Sequence, residues 1–293
     1  MDLPASIAAL GEQLRGADEI VPDPALFREA EVFAAERDRI FLRSLLAVDH
    51  ATRLSEDGRY FRCEAGPRSI ILTRQSGGRL HALRNVCLHS GYPICDAEEG
   101  SGERLVCPYH GWEYTFDGRL VEPELSSRID PARLRVLSYP VWVRGGLIFV
   151  DPSGKADPAE ASAASVPAWL AGAIVVRRAR YGTTWNWKFL RYFLRSSPHL
   201  FFDEPPDSDV EFGPLGFMIA QRRRAVLLRV IPRFAEQTDF QVIEMAAEGG
   251  PGDPDSASDS DAVAAALRDA DSLSTWFDRR YADWYWSLIS AAQ

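Results

Sequence analysis

Residues 85–120 read NVCLHSGYPICDAEEGSGERLVCPYHGWEYTFDGRL. Within them Cys87-Leu88-His89 and Cys107-Pro108-Tyr109-His110 each offer one thiol and one imidazole, and seventeen residues separate the two groups. Thiolate sulfur and neutral imidazole nitrogen are the softer metal donors among side chains. Their repetition at short spacing therefore points to a metal centre. Cysteine use elsewhere agrees: the chain has four Cys, at 63, 87, 95 and 107, which is too few for a disulfide scaffold in 293 residues. Its five His stand at 50, 81, 89, 110 and 199.

Two thiolates and two imidazoles satisfy a single tetrahedral zinc. The same donors arranged as C-x-H and C-x-x-H, with a hairpin between, match a Rieske [2Fe–2S] centre, where two Cys hold one iron and two His the other. The surroundings favour the second arrangement. The run 85–120, with Gly91, Cys95, Gly111-Trp112 and Asp117-Gly118, resembles the Rieske domain of the ring-hydroxylating, or Rieske non-haem iron, oxygenases. The resemblance covers about residues 1–152 and assigns the cluster to Cys87, His89, Cys107 and His110. Cys95 is expected to pack beside the cluster loop and Cys63 to lie in the core. One departure is visible: the family usually has Arg after the first ligand His, where this chain has Ser90.

Outward from the motif, Asp23-Pro24 predicts a helix running to about Phe41, with Leu26, Phe33, Ile40 and Phe41 on its apolar side. From Arg59 the pattern is that of strands, over 68–74, 79–86, 113–116, 136–143 and 147–150. Turn signals at Ser76-Gly77-Gly78, Asp117-Gly118 and Gly145-Gly146 separate them. Residues 151–168, DPSGKADPAEASAASVPA, read as a linker. Beyond it the sequence predicts a strand at 174–181, a helix at 185–195, strands at 212–221, 225–232 and 238–246, and a terminal helix from about 262. The acidic stretch 249–261, with Asp253, Asp255, Asp259 and Asp261, fits no calcium-loop spacing and reads as a solvated linker. The expected fold is α+β: a helical arm (1–41), an antiparallel β Rieske domain (42–152), a linker (153–172), and a shortened helix-grip-like domain of sheet plus C-terminal helix (173–293).

The resemblance implies a mononuclear Fe(II) in the second domain, held by two His and a carboxylate. Asn186-Trp187-Lys188 looks like the start of the helix carrying those ligands, which places His199 at the first iron His. The second falls at Asp203 or Glu204, neither of them His. The Asp that in the family links one subunit's iron to its neighbour's cluster is Ser196 here. Asp269, Asp271, Asp278 and Asp283 compete for the third ligand. With His50 and His81 in the cluster domain, His199 alone remains, so a two-His, one-carboxylate site cannot be assembled from this second domain. Only 107 residues follow Asn186, which is short for the family.

Three readings stay open. The chain is an auxiliary subunit of a hetero-oligomeric Rieske oxygenase, delivering electrons to the iron of a homologous partner. Alternatively it is a complete oxygenase with a one-His, two-carboxylate iron site at His199, Asp203 or Glu204, and a C-terminal Asp. Or it is a stand-alone Rieske electron carrier. The family implies a ferredoxin or reductase as electron donor and a trimeric or hexameric ring. No dinucleotide fingerprint is present in the chain itself.

Lys plus Arg is 33 against 42 Asp plus Glu, a net charge of −9. That sign disfavours nucleic acid as a partner. The lack of a long apolar run or of a basic start before one argues against a membrane span or signal peptide, so a cytoplasmic protein is expected. Aromatics at Trp185, Trp187, Phe193, Phe201, Phe202, Trp276, Trp284 and Trp286 are expected in core or interface, or lining a substrate pocket. Arg177-Arg178 and Arg222-Arg223-Arg224 are expected as solvated sheet edges or as a dock for an acidic redox partner.

Overall fold

The computed structural model describes residues 3–121, 133–155, 166–248, 263, 265–266 and 277–291. The chain forms two compact units, one of Leu45–Ala163 and one that joins Met1–Ser44 to Ala164–Gln293. The Asp253–Asp261 stretch, Asp269, Asp271, Trp276, most of the expected linker and the first part of the expected terminal helix lie outside the described residues.

The N-terminal segment holds α1 (Ala5–Gly16), α2 (Ala25–Arg28) and α3 (Ala30–Glu36), followed by a π-turn at Arg37–Phe41. The single helix expected over 23–41 is thus broken, at Glu29, whose φ of −77° and ψ of 135° are extended. Asp23 still caps the start, accepting from Ala25 N at 2.9 Å. The break has a tertiary cause. Helix continuation needs the Leu26 and Phe27 carbonyls for residues four further on. Here Lys188 Nζ donates to the first at 2.7 Å and Asn186 Nδ2 to the second at 3.0 Å. In α1, Gly11 permits close approach: a Cβ there would lie 2.3 Å from the Trp286 ring.

In the Leu45–Ala163 unit every strand pairing is antiparallel. The strands are β1 (Leu46–His50), β2 (Arg59–Ala65), β3 (Arg68–Gln75), β4 (Arg79–Arg84), β5 (Glu99–Ser101), β6 (Leu105–Val106), β7 (Glu113–Tyr114), β8 (Leu120–Val121), β9 (Ser138–Tyr139), β10 (Val141–Arg144) and β11 (Leu147–Val150). They form sheets ordered β5-β2-β3-β4-β9, β1-β11-β10 and β6-β7-β8. The strand expected over 136–143 is divided at Pro140, with β9 pairing with β4 and β10 with β11. Proline brings no N–H to a ladder, so the chain changes sheets there. The β10–β11 turn is Gly145-Gly146, both at positive φ (54° and 82°), as a tight two-residue hairpin requires.

The other unit has a five-stranded antiparallel sheet ordered β12-β16-β15-β14-β13, built from β12 (Ala173–Thr183), β13 (Ser208–Glu211), β14 (Gly216–Gln221), β15 (Arg224–Phe234) and β16 (Gln237–Ala247). A short turn at Ala168–Gly172 buries Leu170 ahead of it. Between β12 and β13 lies α4 (Trp187–Ser196), which packs on β15 and β16. Asn186 caps α4 by accepting from Lys188 N at 3.0 Å. The last helix, α5 (Arg279–Ser290), contacts α1 and the π-turn. The fold is therefore the α+β class expected from sequence. Among the described residues no helix is long and apolar enough to cross a membrane.

Within this unit the arm, α4 and α5 meet at the buried Glu36 carboxylate. Its Oε1 accepts from Lys188 Nζ at 2.5 Å and from the Tyr285 hydroxyl at 2.8 Å, while Oε2 accepts from Trp187 Nε1 at 2.8 Å. Burial pushes the Lys188 ammonium below its ordinary pKa, and Glu36 pulls it back. Burial, then Glu36, raises the Tyr285 phenol, which keeps its proton and donates. Glu36→Ala strands a buried ammonium and two further donors. Urea denaturation is expected to show a loss of roughly 3–5 kcal/mol, much of it regained in a Glu36→Leu/Lys188→Met double variant.

Candidate metal centre

Two turns of the same design present the four expected ligands. Gly91 N donates to Cys87 O and Gly111 N to Cys107 O, both at 2.9 Å. The next residues close each turn, with Cys87 N donating to Tyr92 O at 2.7 Å and Cys107 N to Trp112 O at 2.9 Å. Gly91 and Gly111 sit at φ 74° and 72°, the left-handed region that side chains disfavour, so glycine at these two positions is demanded by the turn. The repeat brings like to like. Cys87 and Cys107 are 2% and 1% exposed and share one core cluster with Ile71, Leu83, Ile94 and Leu105. His89 and His110 are exposed, with ring centroids 4.5 Å apart, and Trp112 stacks on His89 at 4.7 Å.

Burial raises the Cys107 thiol above its ordinary pKa. The backbone N–H groups of Tyr109 and His110 pull it down, and the adjacent Cys87 sulfur pushes it up again. A bound metal cation would remove the penalty on the Cys107 thiolate. The donor set thus fits a [2Fe–2S] cluster, with a buried sulfur pair for one iron and an outer imidazole pair for the other. Cys95 is different. Burial, with Asp96 adding, pushes its thiol up to about 12, and its backbone is clamped by Asn85, which accepts from Cys95 N at 2.9 Å and donates to Cys95 O at 2.8 Å.

Sequence reasoning passed over Tyr114 as a functional residue. Its hydroxyl lies 3.1 Å from Cys87 Sγ and accepts from Leu88 N at 3.0 Å. A metal-bound sulfur would carry no proton, so with a cluster bound the phenol would donate to it. Burial raises the Tyr114 pKa, which keeps that proton in place. The available signal was alternation, since Tyr114 is the inward residue of β7.

The other histidines stand apart from the turns. His50 is buried, with Nδ1 3.0 Å from Thr52 Oγ1, and His81 Nε2 lies 2.9 Å from Gln75 Oε1. His199 stands in the short turn Pro198–Leu200 and is exposed, as are Asp203 and Glu204. Glu204 pairs with Arg222 at 2.9 Å. Asp278 caps α5, accepting from Tyr281 N at 2.8 Å. Among the described residues no group of three or more His, Cys, Asp or Glu that could hold a metal ion gathers at His199, and the candidate ligands Asp269 and Asp271 lie outside those residues. The arginines of interest lie along the second sheet, where Arg177 and Arg224 both face Glu244, at 3.5 and 3.8 Å.

Replacing Cys107 or His110 by Ser or Asn is expected to abolish cluster iron and sulfide. Tyr114→Phe should keep both and lower the midpoint potential. A hydrogen bond worth about 1 kcal/mol corresponds to roughly 40 mV for one electron, which protein-film voltammetry resolves.

Comparison with known proteins agrees with this geometry. A family model described as the Rieske [2Fe–2S] domain matches residues 44–140. The alpha subunit of N,N-dimethyl phenylurea N-demethylase from Sphingobium sp. (strain YBL2) is 36% identical over 107 residues, 36% of this chain and 23% of the relative. The benzene 1,2-dioxygenase alpha subunit of Pseudomonas putida is 30% identical over 133 residues, 44% of this chain and 30% of the relative. The matched part therefore spans less than a third of those relatives. In fold, the quaternary ammonium Rieske monooxygenase CntA, solved with gamma-butyrobetaine, is similar with a TM-score of 0.71 at 16% identity, over 92% of this chain and 94% of that one. Residues 44–140 thus match the Rieske [2Fe–2S] domain family, and both Cys–His turns lie within that match.

Proposed function

We propose that this chain is a cytoplasmic oxygenase component in which Cys87, His89, Cys107 and His110 hold a [2Fe–2S] cluster, and that it serves a mononuclear iron on a homologous partner chain. When bound, such a cluster supplies one-electron transfer that can be coupled to loss of an imidazole proton. The protein's own groups prepare that chemistry. Burial of the two cysteines excludes water from the sulfur side. Tyr114 donates to Cys87 Sγ, and the backbone N–H groups of Tyr109 and His110 face Cys107. The exposed His89 and His110 rings offer their edges to a partner at contact distance.

The observation carrying the partner-held iron is the state of the alternative ligands. His199, Asp203 and Glu204 stand exposed, Glu204 already paired with Arg222, with no third ligand beside them among the described residues. A ferredoxin or reductase supplies the electrons, and the working assembly is a ring of this chain with its iron-bearing homologue. The relatives' names span phenylurea demethylation, glycine betaine oxidation and benzene dioxygenation, so the substrate class is a small organic molecule oxidised with O2. One observation favours a complete oxygenase instead: the fold correspondence extends over 94% of a monooxygenase chain.

Iron and acid-labile sulfide on anaerobically purified, Fe(II)-loaded protein separate the two. About two iron per two sulfide is expected, and His199→Ala should leave that ratio unchanged. A ratio near three to two, falling to two to two in His199→Ala, overturns the partner-held iron.

A further inference from the structure

Inside the unit that contains both chain ends, a cleft of about 490 Å³ opens between α4, β13 and α5. Three guanidinium groups line it, those of Arg191, Arg195 and Arg280, against two carboxylates, Glu211 and Asp278. The carboxylates are already engaged. Glu211 accepts from Arg191 through one oxygen and from Arg195 Nη1, at 2.6 Å, through the other. Asp278 spends an oxygen capping α5. Arg195 is engaged a second time, by Asp209 just outside the lining. Arg191, whose side chain is only 4% exposed, has a buried Nε with no hydrogen-bond partner. Arg280 is exposed at the rim and has no partner among the described residues.

The aromatic wall restricts the ligand further. Tyr281 lies against Trp284 at 4.8 Å and against Tyr192 at 5.9 Å, and its hydroxyl is committed to Lys188 O at 2.7 Å. The face of Trp284, a natural seat for an organic cation, already carries the Arg191 guanidinium at 4.1 Å. An incoming cation finds that seat filled and the Arg280 guanidinium at the rim. A ligand with acceptors only, and a flat apolar body, meets open donors and aromatic surface instead. The volume lies within the usual range for small-molecule sites, roughly 300–1,000 Å³.

We propose that this cleft is a binding site for a small organic carboxylate with an aromatic or otherwise flat apolar body, with Arg280 pairing to the carboxylate and the Arg191–Trp284 platform bordering the body. The site is independent of where the mononuclear iron resides.

Calorimetric titration of the full chain with benzoate, benzamide and benzyltrimethylammonium tests it. Benzoate is expected to bind at least about tenfold more tightly than either of the others, the effect of one charge-assisted hydrogen-bonded pair. Arg280→Gln should weaken benzoate by a similar factor, leave benzamide unchanged, and keep the visible circular dichroism of the cluster and the melting temperature of the wild type. The proposal is overturned if benzoate does not bind, if benzamide or the cation binds as well as benzoate, or if Arg280→Gln binds benzoate like the wild type.

Discussion

Two sulfur atoms held side by side in an apolar core repel one another as thiolates, and only a cation between or beside them removes that cost. The Leu45–Ala163 unit is arranged around this constraint. Both cysteines sit at the start of a tight turn whose glycine adopts a left-handed conformation, and each turn is closed by a backbone bond across its own ends. The imidazoles two or three residues later then fall outside the core, where exposure costs them nothing. Tyr114 and Asn85 serve the same end from the flanks, the first by donating toward Cys87 Sγ, the second by fixing Cys95 so that its protonated thiol stays a packing group.

In the other unit a second buried charge organises the chain. Glu36 accepts from an ammonium, an indole and a phenol at once, and those donors come from the first turn of α4 and from within α5. A buried ion pair is weak evidence for stability but strong evidence for geometry, because each partner is costly without the other. It explains why the first 44 residues group with the C-terminal segment and not with the sheet domain that follows them directly. Lys188 and Asn186 also take the Leu26 and Phe27 carbonyls, so the arm gives up helix bonds to be held there.

The positions where an iron would be sought and the arginine-lined cleft border one another along α4 and the residues after it. Ser196, which stands where the resemblance expects a carboxylate linking iron to cluster, lines that cleft.

What the sequence by itself determined is local. The pairing of the two Cys–His turns, the Gly145-Gly146 hairpin and the α+β class were all legible, because residue spacing, positive-φ demands and strand alternation act over a few residues. The continuous helix over 23–41 and the continuous strand over 136–143 were not, and the two differences have different causes. Pro140 is a local signal, but which sheet each half joins depends on β4 and β11. The break at Glu29 carries no local signal at all. It follows from side chains about 160 positions away claiming two carbonyls, separations of 162 and 159 residues. Only the tertiary structure decided that break and the three-donor seat of Glu36, because each is set by hydrogen bonds between segments distant in sequence.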